Sequence, residues 1–316
     1  MDAVQSLQEL GRPVEQARKA FLQLIEPVRP DLFRYCLRLT GSAWDAEDLV
    51  QETLMKAYAR LTRWEPIDAR PYLFRMASNA WIDSLRRRRA ETVELDEART
   101  TLTDESDPAE TWAAMEHLVG ALPPRQRVVF LLTEVFRFTA AEAAAMLNMT
   151  EGAVKAALHR ARTGLKGAAP EPARPTRASI APPSAVVAKY LEAFNRRDPD
   201  GIAALLTDGA TCDIVECGVE YGKEVIRKYS LTDWAKEENI QWAEYGELDG
   251  EPVVFIYLRT AEHERALSWM IRLTTVDEQI TAIDGYFFTP EIIRYAAARL
   301  GVPEVAWGYI YKGLPH

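Results

Sequence analysis

Residues 78–89 read Ser78-Asn79-Ala80-Trp81-Ile82-Asp83-Ser84-Leu85-Arg86-Arg87-Arg88-Arg89, and their spacing sets the reading of the chain around them. Wound as a helix, Arg75, Asn79, Asp83 and Arg86 share one polar stripe, while Ala77, Ala80, Ser84 and Leu85 fall on other faces. An amide beside a dense cationic end suits nucleic acid, where guanidinium groups hold phosphate and an amide reads a base edge. A solvated surface helix with a basic end is the plainer reading of the same stripe, so the neighbouring segments decide.

Helical periodicity runs through residues 14–89, with apolar positions such as Phe21, Leu24, Val28, Leu32, Tyr35 and Leu39 three to four apart. Gly41-Ser42 and Pro66 mark its breaks. Across 90–110 the pattern vanishes and acids dominate, which reads as a linker. Helices return over 111–167. There Thr139 and Glu142 form a capping box that starts a short helix ending at Leu147, and Asn148-Met149-Thr150 makes a turn. In the next helix Val154, Leu158, Ala161 and Leu165 point inward, and Glu151, Lys155, His159 and Arg162 point outward with Arg160 beside them. Two short helices, a three-residue turn and a basic outer face describe a helix-turn-helix, whose early outward residues meet bases and whose later cations meet phosphates. An ordinary helical hairpin is the alternative.

The net charge of −9 is misleading for a nucleic-acid binder until it is divided along the 316 residues. Residues 1–170 hold 23 basic and 24 acidic side chains, but 90–116 alone hold nine acids and one base; the remainder is 22 against 15, a surplus of seven positive charges. Three cysteines without paired spacing predict a reducing compartment and no metal site. The sequence shows neither a signal pattern nor an apolar run of membrane-spanning length, so the expected location is cytoplasmic, with no membrane partner.

Residues 168–184, with five prolines, read as a stiff tether. Beyond it, over 185–316, the texture changes to α+β. A helix over about 185–197 and a short one near 201–206 precede strand-like runs near 210–219, 240–247, 252–260, 265–274 and 279–288, and a final helix covers about 290–300. The runs predict a mainly antiparallel sheet.

The order Asp45-Ala-Glu-Asp-Leu-Val-Gln-Glu52, Tyr72-Leu-Phe-Arg-Met-Ala-Ser-Asn79, Trp81-Ile-Asp83, Arg86-Arg87, Leu122-Pro-Pro-Arg-Gln-Arg127, Val154-Lys155 and His159-Arg-Ala-Arg162 resembles an extracytoplasmic-function (ECF) RNA polymerase sigma factor over about residues 14–167. The resemblance implies two all-α domains: a sigma region 2 bundle over 14–89 and a region 4 helix-turn-helix over 111–167. Core RNA polymerase and promoter DNA are the implied partners. Asp45, Asp48, Leu49, Gln51 and Glu52 would engage the polymerase, with Glu47 adding an acid and Leu54 apolar contact. Arg75, Asn79, Asp83 and Arg86–Arg88, with the loop Trp64–Arg70, would bind the −10 element on the non-template strand. Asn79 reads a base there, and Asp83 either reads or orients Arg86 or Arg87. Trp81 is expected in the core more than on a base. Thr150, Glu151, Lys155, His159, Arg160 and Arg162 would meet the −35 element. Ala156 and Ala157 depart from the family's common Ser and Arg, which removes two potential contacts.

The phrase Ala193-Phe-Asn-Arg-Arg-Asp198 with Ile202-Ala-Ala-Leu-Leu206 resembles the start of a SnoaL-like domain, implying the cone-shaped α+β fold shared with ketosteroid isomerases. In some ECF factors such a fusion adjusts activity in place of a separate anti-sigma protein. Asp213, Trp242, Trp269 and Asp284 are candidates to line its pocket for an unknown small ligand. We expect regulation without catalysis and without a cofactor, through intramolecular contact with the sigma domains. The tail with Trp307, Tyr309 and Tyr311 either docks there or closes the sheet. Two rival readings are a helix-turn-helix regulator that senses a small molecule through the cone, and an isomerase or hydrolase with a DNA-binding appendage.

Overall fold

The computed structural model describes residues 13, 16–60, 68–91, 122–167 and 181–309. Most of the acidic linker (from residue 92), most of the loop Trp64–Arg70, the opening of the second helical block, most of the proline-rich tether and Tyr311 lie outside the described residues. The chain divides into two compact units, Met1–Arg177 and Ala178–His316.

In the first unit, helix α1 (16–25) precedes α2 (Arg29–Thr40), α3 (Ala43–Ala59) and α4 (Ala69–Glu91). The break at Gly41-Ser42 is where the sequence puts it. Gly41 takes the left-handed conformation that closes α2 (φ 81°), and the Ser42 hydroxyl accepts from the Asp45 N–H to start α3. Leu32, Tyr35, Cys36 and Leu39 of α2 and Ala46, Val50 and Ala57 of α3 are all fully buried, with Leu73, Phe74 and Ala77 of α4. One ion pair is enclosed in this core: Arg29 donates to Glu47 at 2.9 Å, both side chains almost fully buried. Glu47, read from the sequence as a surface acid, is therefore an internal partner of α2.

The second helical block comprises α5 (Pro124–Phe130), continuing as a π-helical turn over Leu131–Val135, then α6 (Ala140–Leu147) and α7 (Glu151–Gly167). The capping box is present: Thr139 Oγ1 accepts from the Glu142 N–H, and a Glu142 carboxylate oxygen accepts from the Thr139 N–H at 2.7 Å. These bonds hold the Glu142 carboxyl below the usual glutamate range. Asn148 (φ 50°) ends α6, and Thr150 Oγ1 accepts from the Ala153 N–H to cap α7.

In the second unit, α8 (Ala185–Asn195) and α9 (Pro199–Ala204) lead into β1 (Leu206–Ile214) and β2 (Gly218–Tyr221). Helices α10 (Lys223–Lys228) and α11 (Ser230–Lys236) follow. The strands β3 (Gln241–Leu248), β4 (Glu251–Leu258), β5 (Ala266–Val276) and β6 (Gln279–Tyr286) come next, and α12 (Pro290–Leu300) is the last helix. The sheet order is β2-β1-β6-β5-β4-β3. It is antiparallel except for the β1–β6 pair, which is parallel. Val186, Tyr190, Phe194, Ile202, Ile226 and Trp234 of the helices pack on Cys212, Ile256, Trp269, Ile271 and Ile283 of the sheet. The Asn195-Arg-Arg-Asp198 phrase holds these layers together. Asn195 exchanges two hydrogen bonds with the backbone of Ala243 on β3. Arg197 donates to the carbonyls of Trp234, Glu237 and Asn239, and Asp198 caps α9 through the Gly201 N–H at 2.8 Å.

Candidate nucleic-acid interface

Helix α4 separates its residues as the sequence predicts. Leu73, Phe74, Met76, Ala77, Ser78, Ala80 and Trp81 are buried, whereas Arg75, Asn79, Asp83, Arg86, Arg87 and Arg88 are exposed. Burial of Trp81 gives it the core role. Asp68 starts the helix by accepting from the Arg70 N–H at 3.0 Å. A buried chain of hydroxyls fixes the helix rotationally: Tyr35 and Ser78 are 2.7 Å apart, and Ser78 donates to the Phe74 carbonyl at 2.6 Å. Burial pushes the Tyr35 phenol well above its ordinary range, so it remains a neutral donor. Asp83 accepts from Arg86 at 3.2 Å, one turn away. In this exposed geometry the pair orients the guanidinium and contributes little to stability. The arginines also sit in the last turns of α4, where the helix dipole favours cations.

On α3, Asp45 and Asp48 are exposed and Gln51 and Glu52 half-buried, so these four form a polar face. Leu49 and Leu54 face the core at 6% and 5% exposure, and the apolar contact expected of them has no surface to act from. Met55, 72% exposed on the same helix, is the apolar side chain that the face does offer. Helical period alone identifies it: Met55 lies three and seven residues beyond Glu52 and Asp48, on their stripe.

On α7, Thr150, Glu151, Lys155, His159, Arg160 and Arg162 are all exposed, over a buried row of Val154, Ala157 and Ala161. Lys155 lies 3.6 Å from Glu151, and Arg162 donates to Glu134 at 2.7 Å. Ala157 is at 3% exposure and is a packing position, so of the two alanines only Ala156 is an exposed site where a contact is missing.

The four candidate pocket residues of the second unit do not converge. Asp213 and Asp284 are direct partners across β1 and β6, and Arg272 of β5 is the next partner along. Their neighbours Cys212, Ile283 and Leu273 belong to the helix-covered face, so the Asp213–Asp284–Arg272 row lies on the other one. Burial raises both carboxyls; Asp213 raises Asp284 further, and Arg272 opposes that. Trp269 is inside the helix-covered core, stacked on Phe287 at 3.7 Å. Trp242, on the edge strand β3, stacks on Tyr257 and donates to Glu244. Among the described residues no group of His, Cys, Asp and Glu is arranged to hold a metal ion, and no helix is long and apolar enough to cross a membrane.

Residues 24–91 match the Sigma-70 region 2 family and residues 112–165 the Sigma-70, region 4 family. The ECF RNA polymerase sigma factor SigG of Mycobacterium tuberculosis is 32% identical over 230 residues, covering 62% of this chain and 61% of the relative. The chain thus spans less than two thirds of the length of SigG. The ECF sigma factor SigM of Bacillus subtilis is 33% identical over 141 residues, 43% of this chain and 86% of the relative. Among solved structures, the extracytoplasmic-function sigma factor SigJ of Mycobacterium tuberculosis aligns over 83% of this chain and 94% of its own, at 21% identity and a TM-score of 0.34. With most of SigM covered at this identity, and regions 2 and 4 both matched in order, the chain belongs to the ECF RNA polymerase sigma factors.

Proposed function

We propose that the protein programmes core RNA polymerase to initiate transcription, with α3 docking on the polymerase, α4 reading the −10 element and α7 reading the −35 element. The observation that carries this reading is the exposed row from Arg75 to Arg88 on α4, held over a fully packed inner face. Opening a promoter requires bases of the non-template strand to leave the stack, at a cost of a few kcal/mol that contacts to the extruded base must offset. Asn79 supplies two donors and an acceptor for a base edge. Arg86, Arg87 and Arg88 supply phosphate contacts on either side, and Asp83 aims the first of them. At the helix-turn-helix, Glu151 and Lys155 on the first turns of α7 face bases in the major groove, while His159, Arg160 and Arg162 face the backbone. On α3, Asp45, Asp48 and Glu52 suit a basic partner surface around the apolar Met55.

The second unit, in this reading, regulates and does not catalyse. Residues 171–316 carry 15 basic and 23 acidic side chains, an acidic surplus complementary to the basic sigma helices. Its two raised carboxyls are not in the packed interior with Trp269 but on the opposite sheet face beside Arg272. Run-off transcription with purified core polymerase tests the whole proposal. Specific transcripts are expected only when core and this chain are combined, and truncation after residue 184 should change their yield. Duplex binding and repression without polymerase would favour the helix-turn-helix regulator instead.

A further inference from the structure

Among the described residues two arginines take the left-handed backbone conformation, Arg137 (φ 63°) and Arg197 (φ 55°). That region crowds Cβ against the backbone, so a residue other than glycine holds it only at a cost. Arg197 has an internal task, because its guanidinium donates to the carbonyls of Trp234, Glu237 and Asn239. Arg137 has none: it is exposed, and among the described residues its side chain makes no hydrogen bond, ion pair or ring contact.

The backbone at Arg137 is fixed from both sides. Ahead of it the π-helical turn closes with the Phe136 N–H donating to the Leu131 carbonyl and the Phe138 N–H to the Leu132 carbonyl, each at 2.9 Å. Phe136 and Phe138 are both buried, which leaves the residue between them facing solvent. Behind it the Thr139–Glu142 capping box starts α6. The Glu142 carboxylate already takes the Thr139 N–H and hydroxyl, both at 2.7 Å, and the cation that helps to lower its pKa is Arg70. Arg137 therefore neither caps α6 nor neutralises the cap.

Its place in the fold supplies another task. In a helix-turn-helix the second helix enters the major groove while the first crosses the sugar–phosphate backbone. Here α6 is that first helix, and Arg137 stands two residues ahead of its N-cap, Thr139. Two of the outward cations on α7 have acids beside them, Lys155 at 3.6 Å from Glu151 and Arg162 at 2.7 Å from Glu134. A phosphate must compete with those acids, whereas Arg137 offers an uncommitted guanidinium whose parallel N–H groups match a phosphate.

We propose that Arg137 is a phosphate contact for the −35 duplex, and that its strained backbone is retained for that contact. The inference rests on the −35-reading role proposed above for α7, and extends the DNA surface to the entry of α6. Such a contact fixes register on the duplex without reading sequence. Glycine, the residue best suited to this backbone, would make the fold more stable and the binding weaker.

The test uses holoenzyme assembled from core polymerase and the full chain, with Arg137, Arg137→Gly or Arg137→Lys. Two templates are made from a promoter that the chain transcribes, both with the −10 element unpaired. One carries the upstream duplex through −35, and the other ends just upstream of −10. On the longer template Arg137→Gly should weaken binding about fivefold near 0.1 M salt and reduce the slope of log K against log salt by about 0.9, one duplex phosphate. On the shorter template it should change neither, and Arg137→Lys should keep the slope on both. Arg137→Gly should also raise the first midpoint in thermal unfolding of the full chain by about 2–4 °C.

Parental affinity and slope for Arg137→Gly on the longer template would overturn the contact, as would an equal loss on the shorter one. A lowered midpoint would overturn the retained strain, since Arg137 would then be stabilising the fold. A parent holoenzyme that binds the two templates equally would defeat the −35-reading role itself, and this contact with it.

Discussion

Helices α4 and α7 both present cations over a packed inner face, but they are held differently. Beneath α4 lies a polar framework of Tyr35, Ser78 and the Phe74 carbonyl, with the buried Arg29–Glu47 pair between α2 and α3. Beneath α7 the buried row of Val154, Ala157 and Ala161 is apolar, and the polar contacts of the helix are the cap at Thr150 and the exposed Arg162–Glu134 pair at its surface. Hydrogen bonds fix rotation about the helix axis more sharply than small apolar side chains do. That difference suits the roles proposed above, in which α4 places one amide against an extruded base and α7 lies along a duplex groove.

The two helices should differ most at the buried Arg29–Glu47 pair. Glu47→Ala leaves Arg29 charged and enclosed, a loss expected to be about 3–5 kcal/mol, read as a lower first transition in thermal unfolding of the full chain. The truncation beneath α7, Ala161→Gly, should fall well short of it, at about 1 kcal/mol, chiefly helix propensity, in the same assay. If the two losses were equal, the polar framework would not be what distinguishes the helices.

Next in size is the Asn79 amide proposed to read a base. Asn79→Ala should lower initiation about tenfold to a hundredfold, the ~1–3 kcal/mol of a bidentate base contact, while leaving the salt dependence of promoter binding unchanged. Arg87→Ala should behave in the opposite way, weakening holoenzyme on all promoters alike and reducing the slope of log K against log salt by about 0.7. On α7 the exposed Ala156 allows a gain: Ala156→Arg should add one duplex phosphate contact and steepen that slope by about 0.9.

The smallest effect is expected in the second unit. Asp284 has a folded-state pKa raised by burial and by Asp213, with Arg272 opposing, so the folded form binds its proton more tightly than the unfolded chain does. Its contribution is present at pH below the ordinary aspartate range and is lost as pH rises through the raised value. Asp284→Asn should therefore stabilise the unit at pH 7, by less than about 1 kcal/mol after solvent screening, with the gain vanishing in acid. Thermal unfolding at several pH values measures it.

Much of this was legible in residue order. The stripe on α4 follows from helical period alone, and the Thr139–Glu142 box and Gly41-Ser42 break follow from cap chemistry. What period cannot give is which of two apolar positions a neighbour covers: Leu49 and Leu54 sit beside the polar stripe of α3, yet both are buried. In the second unit the run 210–219 is two strands, because Glu216 (φ 69°) reverses the chain ahead of Gly218. Helices α10 and α11 are six and seven residues long, too short to show a period. The separation of Trp242 from Trp269 depends on register across β3, β4 and β5, including a shift between Ile256 and Tyr257 that alternation does not reveal.

The most direct measurement of the central claim is permanganate reactivity of thymines in the −10 element of a promoter that the chain transcribes. Core polymerase combined with the chain should make non-template thymines reactive, core alone or the chain alone should not, and Asn79→Ala should suppress the signal. Thymines that open with the chain alone, or that never open with both present, would contradict the account.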